Sequence, residues 1–170
     1  SGTDTMVSVL PGSSTGSGQA SVDELGGWTI DGASSSFAID VAPLVADVDG
    51  DTQADLVLSD PASGAVYVFL DGSGLSGHLG VADADITVQG TGPKHFGLAV
   101  QVGDLDGDAA ADLVIGASES TGRLGATSGD PGEVLLLPGS SIAAATTSTL
   151  DERAGLVLYD SVSGSPFGQF

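Results

Sequence analysis

Two stretches of the chain carry nearly the same acidic string, Asp47-Val48-Asp49-Gly50-Asp51-Thr52-Gln53-Ala54-Asp55 and Asp104-Leu105-Asp106-Gly107-Asp108-Ala109-Ala110-Ala111-Asp112. Each sets carboxylates at positions 1, 3, 5 and 9 of a loop and runs at once into an apolar segment, Leu56-Val57-Leu58 or Leu113-Val114-Ile115. Carboxylates gathered within about 5 Å repel by about 3 kcal/mol per pair at an effective dielectric near 20. A loop that converges four of them has to enclose a cation. Hard oxygen donors on a short, Gly-containing loop suit calcium, which takes about six to eight oxygens, better than magnesium, which holds a strict octahedron and keeps its waters. The expected ligands are Asp47, Asp49, Asp51 and Asp55 with the carbonyl of Gln53, and Asp104, Asp106, Asp108 and Asp112 with the carbonyl of Ala110. A solvated acidic turn explains one such string; it does not explain two in matched surroundings.

The helix-loop-helix calcium motif shares the first five positions but needs Gly at position 6, a bidentate Glu at position 12 and a following helix. Here position 6 is Thr52 or Ala109, position 12 is Leu58 or Ile115, and the segment that follows has no helical period. The loops therefore belong to β-hairpins, with the ninth-position Asp heading the second strand.

Lining up the loops exposes a longer repeat. Phe37 to Ala46 leads into the first and Phe96 to Gly103 into the second. A third strand with a Gly-Ser turn occurs three times, at Met6 to Gly12, Ala65 to Gly72 and Glu133 to Gly139. A fourth follows each time: Gly27-Trp28-Thr29-Ile30-Asp31, Asp85-Ile86-Thr87-Val88-Gln89 and Gly155-Leu156-Val157-Leu158-Tyr159-Asp160. Four short strands recurring at about 60 residues, bounded by Gly, Ser, Asp and Pro turns, read as β-propeller blades. The expected architecture is all-β: a partial blade over 1–32, a blade over 37–90, a blade over 96–160 and the opening of another at 166–170. Helix is not required, and Ser141 to Leu150 reads as an ordered loop. A ring needs at least about four blades, so this is an incomplete ring with open strand edges, which leaves three outcomes: an excised piece of a longer propeller, assembly between copies, or half-blades paired in a non-propeller arrangement.

These residues resemble the FG-GAP repeat, the blade unit of integrin α-chain propellers. Phe96-Gly97, the acidic loop and Gly116-Ala117-Ser118 match its name-giving motif, with Ser118 in place of Pro. The first copy departs further, with Ala38 where Gly is expected and Ser59-Asp60-Pro61 in place of Gly-Ala-Pro. Both loops also lack a Gly that integrin repeats often carry after the third ligand. The resemblance implies an extracellular propeller holding calcium in the hairpin between strands one and two of a blade.

Charge narrows the partners. The 170 residues include 23 acids against 3 Lys and Arg, a net −20. That sign excludes nucleic acid and anionic membrane surfaces as partners. Hydrophobic residues at 41% separate the chain from a disordered acidic tail. No cysteine is present, which removes disulfides, thiolate metal sites and cysteine nucleophiles. No apolar run approaches the roughly 20 residues of a membrane span, and Ser1-Gly2-Thr3-Asp4 shows no signal peptide, as expected of a mature or excised chain. Calcium sites of this kind fill where the free ion is abundant, outside the cytoplasm.

No enzyme is expected. His78 and His95 stand apart in a Gly-rich loop and at a strand start, and no Gly-x-Ser-x-Gly elbow occurs. Trp28, Tyr67 and Tyr159 are candidates for a sugar-stacking platform, with strand-edge packing as the commoner explanation for Trp28 and Tyr159. The insert from Glu119 to Pro131, with Arg123, is a candidate contact loop. The expected function is a calcium-stabilised binding or adhesion module for a protein or glycan. The alternatives are a structural scaffold of a larger secreted protein or a calcium-dependent propeller enzyme acting on polysaccharide.

Overall fold

Leu56, Leu58, Tyr67 and Phe69 turn to one side of their sheet and Val57, Val66 and Val68 to the other, and all seven are buried. That two-sided burial is what period-2 alternation produces when a sheet is covered on both faces. In this computed structural model, residues 6–10, 12, 19–32, 42–90, 96–117, 132–145, 149–151 and 155–159 are described. In chain order the strands are β1 (Met6–Val9), β2 (Trp28–Asp31), β3 (Leu44–Ala46), β4 (Asp55–Asp60), β5 (Ala65–Phe69), β6 (Gly77–Gly80), β7 (Ile86–Gln89), β8 (Phe96–Gly103), β9 (Asp112–Ala117), β10 (Glu133–Leu137), β11 (Thr149–Asp151) and β12 (Leu156–Tyr159), with a short α-helix, α1 (Gly139–Ala143), and single 3-10 turns at Asp23–Leu25 and Val81–Asp83.

Three sheets result, in the orders β1-β2-β6, β11-β7-β5-β4-β3 and β12-β10-β9-β8. Within the second and third, four strands run antiparallel in a meander, the two blades expected from the repeat. The first is the half blade, β1 antiparallel to β2. The sheets do not close into a ring. The middle sheet lies between two cores. One joins Val57, Val66, Val68, Ile86 and Val88 to Phe96, Val100, Leu113, Ile115 and Leu135 of the third sheet. The other joins Leu56, Leu58, Tyr67 and Phe69 to Val7, Trp28 and Ile30 of the first. At about 1.5–3 kcal/mol for each fully buried side chain, these two faces hold the stack together.

Two features depart from the sequence expectation. His78 lies in a strand, β6, and not in a loop: the link between strands three and four of the middle sheet runs out to pair in parallel with β2, the fourth strand of the sheet before it. The equivalent link of the third sheet does the same, β11 pairing in parallel with β7. Each added strand covers an edge that the expected arrangement leaves open. Second, Ser141 to Ala143 belong to α1, which begins directly after Pro138, and Thr149 to Asp151 are strand. The segments at Phe37 to Val41, Lys94 and His95, Ser118 to Pro131 and Pro166 to Phe170 lie outside the described residues.

Candidate metal centre

Both acidic loops adopt one backbone course. In the first, the Asp47 carboxylate accepts from the Gly50 amide at 2.7 Å and the Thr52 amide at 2.8 Å, Asp49 from Asp51 at 3.1 Å, and Asp51 from Gln53 at 2.7 Å. In the second, Asp104 accepts from Gly107 at 2.7 Å and Ala109 at 3.2 Å, Asp106 from Asp108 at 3.1 Å, and Asp108 from Ala110 at 2.9 Å. These side-chain-to-backbone bonds coil each loop inward. Fourth-position Gly50 and Gly107 have φ of 82° and 85°, and sixth-position Thr52 and Ala109 have φ of 76° and 77°.

The result is two oxygen triads. One carboxylate oxygen from each of Asp47, Asp49 and Asp51 lies within 4.8 Å of the others, and Asp104, Asp106 and Asp108 do the same. No lysine or arginine occurs among the described residues to neutralise either triad. Either cluster can chelate a divalent cation, and an all-oxygen donor set suits a hard one. The amides of Gln53 and Ala110 donate to the fifth-position carboxylates.

The ninth-position residues have a structural task. Asp55 and Asp112 are almost fully buried, at 1% and 4% exposure. Asp55 accepts from the Val48 amide at 2.7 Å and the Asp71 amide at 3.0 Å. Asp112 accepts from Leu105 at 2.7 Å and Gly139 at 3.0 Å. Each thus ties the start of its loop to the turn that follows the third strand. An ionised carboxylate has about four lone-pair sites, so capacity for a metal remains. Burial pushes the Asp55 carboxyl above its ordinary range against those two amide bonds, and the charges of Asp49 and Asp47 add to the rise.

Asp71, in the turn after β5, joins the first loop without having been expected there. Gln53 Nε2 donates to Asp71 at 2.6 Å and to Asp51 at 3.3 Å, and the Ser73 hydroxyl donates to Gln53 at 3.1 Å. The bond to Asp51 raises the Asp71 carboxyl, while the Gln53 amide lowers that of Asp51. Its sequence signal was slight: one extra acid in Leu70-Asp71-Gly72, where the other copy has Leu137-Pro138-Gly139.

Trp28 and Tyr67, at 5% and 8% exposure, are core residues between sheets and form no open platform. His78 accepts or donates at 2.6 Å with the Thr29 hydroxyl and stands 3.7 Å from Asp23, all on the half-blade side of the stack.

Residues 96–137, which span β8, the second acidic loop, β9 and β10, match the FG-GAP repeat family model, in agreement with the resemblance carried by Phe96-Gly97 and the loop. No curated protein and no solved structure matches the chain.

Proposed function

We propose that this FG-GAP-repeat chain is a calcium-binding, calcium-stabilised module of an extracellular propeller that presents its loops to a protein or glycan partner. The carrying observation is the duplicated oxygen triad on one backbone course, each set at the head of a buried strand. Asp47, Asp49, Asp51, Asp55 and the Gln53 carbonyl would hold one calcium, and Asp104, Asp106, Asp108, Asp112 and the Ala110 carbonyl the other. The ion supplies the positive charge that lets these carboxylates converge. Binding to the native state adds RT ln(1 + [Ca]/Kd), about 2.7 kcal/mol per site at a hundredfold excess over Kd, a large share of a typical total of about 5–15 kcal/mol.

The reading assigns no catalytic step, nucleic acid or membrane insertion. Among the described residues no helix is long and apolar enough to cross a membrane. Among the described residues β12 pairs with β10 alone, which supports association through an added strand, from a second copy or from further blades.

Thermal melting in millimolar calcium and after metal removal tests the reading. A calcium-dependent rise in Tm that falls by about half in Asp106→Asn or Asp49→Asn is expected. A Tm indifferent to calcium would reject both sites, and turnover of an acidic polysaccharide would replace the binding module with an enzyme.

A further inference from the structure

The two acidic loops touch each other. The amide of Ala111, between the seventh- and ninth-position residues of the second loop, donates to the carbonyl of Asp47, the first residue of the first loop, at 2.7 Å. Val48, next to Asp47, is fully buried in the same core as Ala111. The Ala110 methyl stands 3.4 Å from where a Cβ on Gly50 would lie. Gly139 closes the contact from a third side: its amide holds Asp112 at 3.0 Å. A Cβ at Gly139 would come within 2.7 Å of the Ala110 methyl, 2.8 Å of the Val48 carbonyl and 3.0 Å of the Ala111 carbonyl. The backbone that projects the first carboxylate of one loop is therefore fixed directly to the backbone that positions the seventh carbonyl and ninth carboxylate of the other.

We propose that the two calcium sites are positively coupled through this contact, the first ion ordering the Asp47–Ala111 junction that the second ion also needs. The inference rests on the reading of both loops as calcium sites. Two forces compete over its sign. A dication in one loop weakens the negative potential felt by the other, which disfavours the second ion. That effect runs between the two triads, where Asp47 and Asp49 are half-buried and the others exposed, and salt screens the exposed ones over about 8 Å. The ordering contact is short and buried, with Ala110 at 5%, Ala111 at 9% and Val48 at 0% exposure. Order conferred by the first ion need not be conferred again by the second, which is positive cooperativity without a large change of shape. The Gly139 position makes the junction stiff, since no side chain can enter it without displacing backbone.

Calorimetric calcium titration of the full chain measures the coupling. Asp106→Asn leaves the first loop alone, and Asp49→Asn leaves the second alone. The product of the two wild-type association constants should exceed the product of the two single-loop constants by about fivefold or more. Gly139→Ala, which pries the loops apart, should bind two ions with that factor reduced toward one. Hydrogen exchange of the Ala111 amide supplies a readout independent of whether that variant folds. In Asp106→Asn, where calcium can enter the first loop alone, loading should slow exchange at Ala111 in the other loop. Two ions bound with a factor of one or less, or an Ala111 amide indifferent to loading, would overturn the coupling and leave the calcium sites standing. No ion bound by the wild type would overturn the calcium reading beneath it.

Discussion

The Ser59 hydroxyl, on β4 of the middle sheet, donates to the carbonyl of Gly97 on β8 of the next. Gly97 has φ of 83°, and a Cβ there would run into that same hydroxyl and stand 3.2 Å from a Val66 methyl. Its neighbour Phe96 is buried in the core between the two sheets. The Phe-Gly pair is thus a joint: the ring fills the interface and the glycine lets the backbone close over Ser59, at a bulge between Phe96 and Ala99. Gly97→Ala should cost about 2 kcal/mol or more, from the left-handed conformation and the overlap together. Ser59→Ala leaves the Gly97 carbonyl short of a donor and should cost about 1–3 kcal/mol. The double variant should cost less than the sum, because removing the hydroxyl also removes the clash. Denaturant unfolding of the four proteins tests this, and strict additivity would count against the joint.

The sixth loop position predicts a stabilising change. Thr52 and Ala109 both hold positive φ, a conformation that costs an L-residue about 1–2 kcal/mol and glycine almost nothing. Ala109→Gly should raise the stability of the metal-free protein by about 1 kcal/mol, and Thr52→Gly by at least as much, since β-branching adds to the crowding. The amides that bond Asp47 and Asp104 are kept in both variants. A lower melting temperature in Ala109→Gly would show that the loop is not strained where its backbone says it is.

The loops and the blade strands were legible because their signals are local. Asp spacing marks the turns, and the alternation of Val57, Val66 and Val68 against Leu56, Leu58 and Tyr67 marks a sheet covered on both faces. The added strands were not legible. Gly77-His78-Leu79-Gly80 has one apolar residue and no alternation to speak of, and it becomes a strand because β2 offers it a row of unpaired backbone groups. The helix α1 is similarly faint, five residues with no side-chain cap. The spacing that pointed to Asp55 and Asp112 as ligands did not reveal that each also holds an amide of its own loop and one from the turn after the third strand. Such bonds depend on which turn the fold brings alongside.

Stability of the metal-free protein should run against the usual trend for carboxylates. Asp55 is raised above 3.8 chiefly by burial, and Asp71 chiefly by its bond to Asp51. A group whose folded pKa lies above its unfolded value binds more proton in the folded state, so its contribution is full below the unfolded value and lost as pH rises through the folded one. Asp51 and Glu24, lowered by backbone hydrogen bonds from Gln53 and Ser21, act oppositely, but their contribution is already complete once pH exceeds their ordinary values of 3.8 and 4.5. Above about pH 4.5 the raised groups decide the slope. The metal-free Tm should fall as pH rises from about 4.5 through the raised pKa values of Asp55 and Asp71, while calcium, which needs its ligands ionised, should reverse the trend. A metal-free protein whose Tm rises steadily from about pH 4.5 to neutral pH would contradict this.

Equivalent residues on the three fourth strands predict where the chain associates. Trp28 and Ile30 of β2 are covered by the middle sheet, and Ile86 and Val88 of β7 by the third; all four are at or below 6% exposure. Leu156 and Leu158 hold the same places on β12 and are 58% and 41% exposed. The loops repeat the contrast, with Val48 fully buried and its counterpart Leu105 at 63%. Among the described residues β12 pairs with β10 alone, so an open edge adjoins this apolar face. Both features favour stacking against another sheet with a strand added in parallel, as β6 and β11 are added within the chain. Sedimentation velocity across a concentration series should show reversible association, and Leu158→Lys should weaken it by about tenfold with little change in Tm. Association of Leu158→Lys at wild-type strength would place the contact elsewhere on the molecule.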